Sequence, residues 1–411
     1  MFQIDLKSSK SVCDQIVDHF KSLIKTKTLK PGDSVSSVRD MAILLTINPN
    51  TLQSAYLKLE GEGYFYTEQG MEWYVSAVPE KAGSYGRLYT DLKDLILKGN
   101  EEASIGRLVI MKEKPYIRVR NLDKYFDDFV ALDNLKLNIS KGTIYGLIGA
   151  NGSGKTTLVK HLAGLYKPDN GSVTINGEDA YDNAHHRVIG YMPEDMYVPQ
   201  YNMKMLSNFF ISKHKSNWNH RRYKRLLEMF ELDEDQSIST FSTGMQKQAG
   251  FIFSVSVMPD VLLLDETIDG MDPIVRKHVF QQIIADVASR NMTVLITSHN
   301  MQDLGYICDS VGIIDKGRMI LEEDLEDLRG SLHKIHVSFN TDALPSYSPY
   351  DALDVLHIEN TGVIDILVVR GKEEEIARHL KGFNPSVYYH IPLSLEEIFV
   401  YERERSGDSD D

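Results

Sequence analysis

The sequence predicts a multidomain fold: a central α/β unit carrying a helical insert, a mostly helical head before it and a small α+β domain after it. Three observations predict this. Apolar runs end in glycine-rich, acidic or polar turns between Ile144 and His299; two amphipathic helices joined by a short turn occupy Val38 to Leu59; and strand-like runs flank a helix beyond Gly330. With 411 residues there is room for two or three domains, and 42% hydrophobic with 25% charged residues is ordinary globular chemistry.

In the head, Cys13, Ile16, Val17, Phe20 and Ile24 follow helical spacing, and Lys30-Pro31-Gly32-Asp33 predicts a turn. Val38, Met41, Ala42 and Leu45 repeat the helical pattern, as do Leu52, Ala55, Tyr56 and Leu59, which is helix-turn-helix spacing. Asn48 suits an N-cap and Pro49 the first helical position. Gly61 to Thr67 and Trp73-Tyr74-Val75 predict a two-stranded wing. Beyond it, Leu88, Leu92, Leu95 and Ile96 form one apolar stripe, suited either to dimerisation or to packing on the central unit.

In the central unit, Gly149-Ala150-Asn151-Gly152-Ser153-Gly154-Lys155-Thr156 follows the apolar run Ile144–Ile148 and leads into a helical pattern. That is the strand–loop–helix context of a phosphate-binding loop. Its glycines let backbone N–H groups face an anion, Lys155 reaches the outer phosphates and the Thr156 hydroxyl suits Mg²⁺. Val261–Leu264 predicts a buried strand delivering Asp265 and Glu266, a metal partner and a general base. A further strand, Val294–Thr297, ends in Ser298-His299, and Phe241-Ser242-Thr243-Gly244-Met245-Gln246 opens a helix. Between Asp195 and Thr240 lies a helical insert with Lys213, Lys215, His220, Arg221, Arg222, Lys224 and Arg225, whose plain reading is a solvated face.

Residues from about Ile117 to Gly330 resemble an ATP-binding cassette of ABC transporters. The resemblance implies that Tyr125 stacks on adenine, that Gly149, Asn151, Gly152, Ser153, Gly154, Lys155, Thr156 and Thr157 hold the ATP phosphates, and that Thr156, Glu194 and Asp265 attend Mg²⁺. It assigns catalysis to Lys155, Glu266 and His299, the signature to Ser242 and Gly244, and a loop joining two active sites to Asp272. Glu194 stands where the family commonly has Gln, and Ser-Thr-Gly-Met-Gln replaces Ser-Gly-Gly-Gln, a form similar to short bacterial exporter cassettes. A homodimer sandwiching ATP and a separate membrane permease are the implied partners.

The run from Ile4 to Val75 resembles the DNA-binding domain of GntR-family repressors, through Leu29-Lys30-Pro31-Gly32-Asp33, Ser37-Val38-Arg39, Asn50-Thr51, Ala55-Tyr56 and Leu59-Glu60. Arg39, Asn50, Thr51 and Gln53 are then the residues that would read operator DNA. From Met1 to Val75, however, eight basic residues face nine acidic ones, which depletes phosphate attraction. The alternative is a head retained only for dimerisation or docking.

The fold class is therefore a multidomain chain: an α/β P-loop ABC ATPase with a helical subdomain (115–330), preceded by a GntR-like winged helix-turn-helix (1–78) and a helical linker (79–114). A small α+β domain (331–405) and an acidic tail (406–411) follow it. The expected function is the ATP-hydrolysing subunit of a bacterial ABC exporter fused to a transcriptional regulator. A nucleotide-sensing transcription factor without transport and a transporter ATPase with a DNA-silent docking head are the alternatives. The net charge of −14 argues against broad nucleic-acid attraction. No run spans a bilayer and no secretory signal is evident, so the chain is read as cytosolic and peripheral to the inner membrane face through its permease. Cys13 and Cys308 lie in different domains and suit a reducing compartment.

Overall fold

The computed structural model describes residues 4–5, 8, 10–68, 72–76, 114–181, 188–195, 200–214, 217–299, 301–339, 348–391 and 393–405. The stripe at Leu88, Leu92, Leu95 and Ile96, the wing tip at Gln69 and Met71, Lys215 and the acidic tail lie outside the described residues.

In the head, helix α1 (Val12–Lys25) starts at Ser11, whose side chain accepts the Asp14 N–H, and buries Val12, Ile16, Val17 and Phe20. The turn at Lys30 to Asp33 closes through the Asp33 N–H on the Lys30 carbonyl and leads into β1 (Ser34–Val35). Helices α2 (Val38–Leu45) and α3 (Pro49–Gly61) follow, then the antiparallel pair β2 (Phe65–Glu68) and β3 (Glu72–Val75). The two-residue β1, too short to leave a sequence signal, pairs with β3. Phe20, Tyr56, Phe65 and Trp73 meet edge to face at 5.3 to 5.6 Å, so the head has an aromatic core of its own.

The central unit runs β4 (Ile117–Phe126), β5 (Phe129–Ile139), β6 (Ile144–Ile148), α4 (Lys155–Leu162), β7 (Asn170–Ile175), β8 (Glu178–Asp179) and β9 (Ile189–Met192). It continues through α5 (Met203–Lys213), α6 (His220–Met229), α7 (Thr243–Ser256), β10 (Val261–Asp265), α8 (Pro273–Arg290), β11 (Thr293–Thr297) and α9 (Met301–Ile307), and ends with β12 (Ser310–Asp315), β13 (Arg318–Asp324) and α10 (Leu325–Ser331). One sheet has the order β13-β12-β6-β11-β10-β9, parallel except at β13, and a second antiparallel sheet has the order β5-β4-β7-β8. Leu262 and Leu264 join one apolar core and Val261 and Leu263 another. Successive side chains point to opposite faces and both faces are covered, which is why this strand reads as an unbroken apolar run.

The C-terminal domain holds β14 (Leu332–Ser338), β15 (Asp354–Thr361), β16 (Ile364–Arg370), α11 (Glu373–Lys381), β17 (Val387–Ile391) and α12 (Leu395–Arg405), with sheet order β15-β16-β14-β17. Strands β15 and β17 carry His, Tyr, Glu and Asn among their apolar residues, which hid them from the pattern reading.

The basic insert corrects one expectation. Arg222 is buried, not solvated, and its guanidinium grips Asp286 of α8 through two nitrogens at 2.5 and 2.7 Å. The pair ties α6 to α8, beside the buried Tyr223, Leu226 and Leu227 of α6.

The head docks on the central unit through the start of α3. Asn48, 1% exposed, accepts the Asn50 N–H at 2.7 Å and donates its amide to the Ile307 carbonyl at 2.7 Å. Asn50 donates to Asp309 at 2.9 Å, and Gln281 of α8 donates to the Ile43 carbonyl. The other oxygen of Asp309 accepts the N–H of Ile144, the first residue of β6. The head thus sits at the N-terminal end of β6, whereas the glycine-rich loop leaves its C-terminal end. Burial pushes the Asp309 carboxyl up to about 6, against hydrogen bonds from Ile144, Asn50 and Asn48 that favour its charged form. Because this pKa is raised on folding, the charge opposes folding above pH 6, and that cost fades as pH falls toward the ordinary carboxylate value.

Asn48→Ala is expected to cost about 2 kcal/mol, roughly half from the lost cap and half from the lost contact with Ile307. Asn48→Asp keeps a capping oxygen but sets a buried carboxylate against the Ile307 carbonyl and Asp309, so it should cost at least as much as the lost docking bond. Urea midpoints separate them: if Asn48→Asp matches the parent, the docking bond contributes nothing.

Candidate functional site

The strand order β6-β11-β10 brings three chain-distant ends together: the loop after Ile148, Ser298-His299 after β11, and Asp265-Glu266 at the end of β10. The loop needs its glycines. A Cβ on Gly149 would fall 2.4 Å from the Ile314 carbonyl oxygen, and Gly154 has φ +109° with the Ala131 carbonyl 2.8 Å from any Cβ. Gly154 caps α4 without a side chain, so no side-chain oxygen competes for the first-turn N–H groups, and the helix start is prepared for an anion. Asn151, Gly152, Thr156 and Thr157 line the cavity of about 400 Å³ above the loop, while the Ser153 hydroxyl is buried with no hydrogen-bond partner.

Lys155 is 4% exposed and bonds the carbonyls of Gly149 and Ala150 at 2.9 and 3.1 Å, with Glu266 at 3.0 Å. Glu266 adopts φ +51°, a strained conformation for a residue with a side chain, and its N–H is held by both oxygens of Thr297, at 3.1 and 2.9 Å. His299 Nδ1 stands 3.1 Å from Asp269 and 3.8 Å from Glu266. Asp269 also accepts from the Ser298 hydroxyl at 2.7 Å, and its carbonyl accepts from Lys247 of α7. Asp269, Thr297 and Lys247 were missed in the sequence because each acts on a residue distant in the chain.

Burial raises the Asp265 carboxyl, against the neighbouring Thr297 and Thr156 hydroxyls, which favour its charged form. One oxygen takes the Thr297 hydroxyl at 2.8 Å and the other is buried with no partner. Burial also raises Glu194, as do the neighbouring charges of Glu266, Asp195 and Asp265. Three carboxylates around one lysine leave excess negative charge, and the orphaned Asp265 oxygen beside Thr156 fits a hard divalent cation.

The aromatic expectation changes. Tyr125 pairs with Val130, whereas Phe126 pairs with Phe129. Directly paired residues share a face, so Tyr125 lies on the face of the hairpin opposite Phe129, and it is Phe129 and Ala131 that line the cavity. The sequence misled because adjacent aromatics differ only in strand parity. Ser242 caps α7, accepting the Met245 N–H, and Gly244 lies in its first turn; Asp272 caps α8. Neither Ser242 nor Gly244 lines the cavity of its own chain.

The ABC transporter family profile matches residues 132–269. The chain is 32% identical to the Nod factor export ATP-binding protein I of Burkholderia lata over 301 residues, covering 69% of this chain and 95% of that protein. This chain belongs to the ABC transporter ATP-binding proteins. It is likewise 29% identical to the ABC transporter ATP-binding protein YtrB of Bacillus subtilis, over 69% of this chain and 97% of that one. The bacitracin transport ATP-binding protein BcrA of Bacillus licheniformis is 32% identical over 52% of this chain and 71% of its own. The cassette is thus a P-loop ATPase that binds and hydrolyses ATP as the ATP-binding subunit of an ABC transporter. Among the described residues no helix is long and apolar enough to cross a membrane.

Proposed function

We propose that this chain powers a bacterial exporter as a homodimer, with two copies enclosing ATP and a separate permease spanning the membrane. The observation that carries this reading is the distance in the fold between the phosphate loop and the signature: Ser242 and Gly244 stand at an uncovered helix start, away from their own cavity. A helix N-terminus without acidic residues in its first turn suits the phosphates of a second copy's nucleotide. Thr156, Asp265 and Glu194 would hold Mg²⁺, which when bound would neutralise phosphate charge. Lys155 reaches the phosphates, Glu266 takes a proton from the attacking water, and Asp269 orients His299. ATPase rate per chain should rise with protein concentration, and a rate independent of concentration in a monomeric sample would overturn the dimer. Recovery from native membranes should bring a partner with several transmembrane helices; its persistent absence would sink the exporter.

Adenine stacks on Phe129 in this reading. Phe129→Ala is expected to weaken ATP binding by about 1–3 kcal/mol, and Tyr125→Ala to leave it nearly unchanged. Equal losses in a nucleotide-binding titration would return the role to Tyr125.

The head is a GntR-like winged helix-turn-helix held in a docked position. Asn50 faces Asp309 and the start of α3 is covered, while Arg39 and Gln53 are exposed. Operator binding therefore requires release, and the second reading is a head that only docks. Fluorescence anisotropy on promoter DNA without nucleotide, with ADP and with ATP separates them. Binding that changes with nucleotide supports release, equal affinity in all three removes the coupling, and absence of binding at low salt leaves the docking head.

A further inference from the structure

The geometry points to a divalent transition-metal site formed by His333 and His390, with Glu373 as the carboxylate that orients it, at the junction of the C-terminal domain and the head. His333 comes from β14, His390 from the neighbouring β17 and Glu373 from the first position of α11. Donor atoms of all three lie within 4.8 Å of one another. The three residues line a cavity of about 190 Å³ whose other wall includes Ser11 and Asp14 of the head.

Acceptor-only neighbours constrain where the protons sit. His333 Nε2 lies 3.0 Å from the Gly371 carbonyl, which has no proton to give, so Nε2 carries one. His333 is 4% exposed, and burial favours the neutral ring, so its Nδ1 offers a lone pair. His390 Nδ1 lies 3.0 Å from the Glu373 carboxylate and donates to it. In the neutral ring His390 Nε2 is then a second lone pair, and it faces His333 Nδ1 across 3.1 Å. Two lone pairs this close repel unless an extra proton lies between them or both rings turn toward a shared cation set to one side of the N···N line. Each outer nitrogen is already held by a carbonyl or a carboxylate, the arrangement that orients metal-binding imidazoles and fixes their tautomer. Two nitrogens on one tetrahedral ion at about 2.0–2.1 Å stand about 3.3 Å apart, close to the 3.1 Å found here, and each ring must turn by roughly 35° to point its lone pair at the ion. Imidazole donors select zinc, nickel or copper over magnesium or calcium. The cavity leaves room for water at the remaining positions.

A bound ion would join β14, β17 and the start of α11 on one side of a cavity whose other side is α1. Occupancy would therefore stiffen the C-terminal wall against which the head rests.

The test uses the full chain stripped with chelator and titrated with Zn²⁺ by calorimetry in excess Mg²⁺, which keeps the Thr156–Asp265 site filled, in a His299→Ala background that removes the other histidine–carboxylate group among the described residues. One ion should bind per chain. His390→Gln should lose that ion, and Glu373→Gln should weaken it by about 10- to 100-fold. His390 is less deeply buried than His333, and circular dichroism of each variant checks that the fold persists. Thermal unfolding gives a second readout: Zn²⁺ should raise the midpoint of the background protein and not that of its His390→Gln variant. No stoichiometric binding, or equal binding with and without His390, overturns the proposal.

Discussion

Substituting Glu266 with glutamine is expected to lower ATP turnover by about 100- to 10,000-fold while ATP remains bound and holds two chains together. Glutamine keeps an oxygen for Lys155, 3.0 Å away, and leaves intact the N–H bonds that hold residue 266 against Thr297. It cannot take a proton from water. The loss therefore falls on the chemical step and not on binding. Lys155→Ala makes the opposite cut: it removes the phosphate-directed cation and should abolish ATP-driven dimerisation. Sedimentation with ATP, paired with phosphate release, distinguishes the two. Normal turnover in Glu266→Gln would mean that another group accepts the proton, with Glu194 the nearby alternative.

Asp286→Ala is expected to destabilise the cassette by about 3–5 kcal/mol. Asp286 is 3% exposed and serves two guanidiniums, Arg222 at 2.5 and 2.7 Å and Arg290 at 3.1 Å. Removing it leaves Arg222 buried with no counter-charge and loosens α6 from α8. Arg222→Met removes one charge and keeps Asp286 paired with Arg290, so it should cost less. Denaturant midpoints of the two variants test the order. If Asp286→Ala shifts stability by less than the Arg222 variant, the pair does not anchor the helical insert.

Motifs whose function lies in consecutive residues were legible in the sequence. The loop from Gly149 to Thr156 declares itself because glycine spacing, lysine and hydroxyl act within one turn. Asp265-Glu266 was legible because a buried parallel strand leaves an unbroken apolar run before its acidic end. The helices of the head were equally visible, with Asn48 capping the third as expected. Strands β15 and β17 were not legible, since half-exposed strands with mixed polarity leave a weak period.

What the sequence by itself determined is the set of chemical groups and the elements that carry them: glycine-rich loop, acidic strand end, the helix that opens at Ser242 and the amphipathic head. Each depends on local dihedral preference and short-range periodicity. Only the tertiary structure decided which face of the hairpin meets the cavity above the glycine-rich loop, that Arg222 is buried on Asp286, that Asp269 holds His299, and that the start of α3 rests on Ile307 and Asp309. These outcomes depend on strand register and on pairings between residues far apart in the chain, where burial sets the energy of a charge or an amide and no local pattern records the partner.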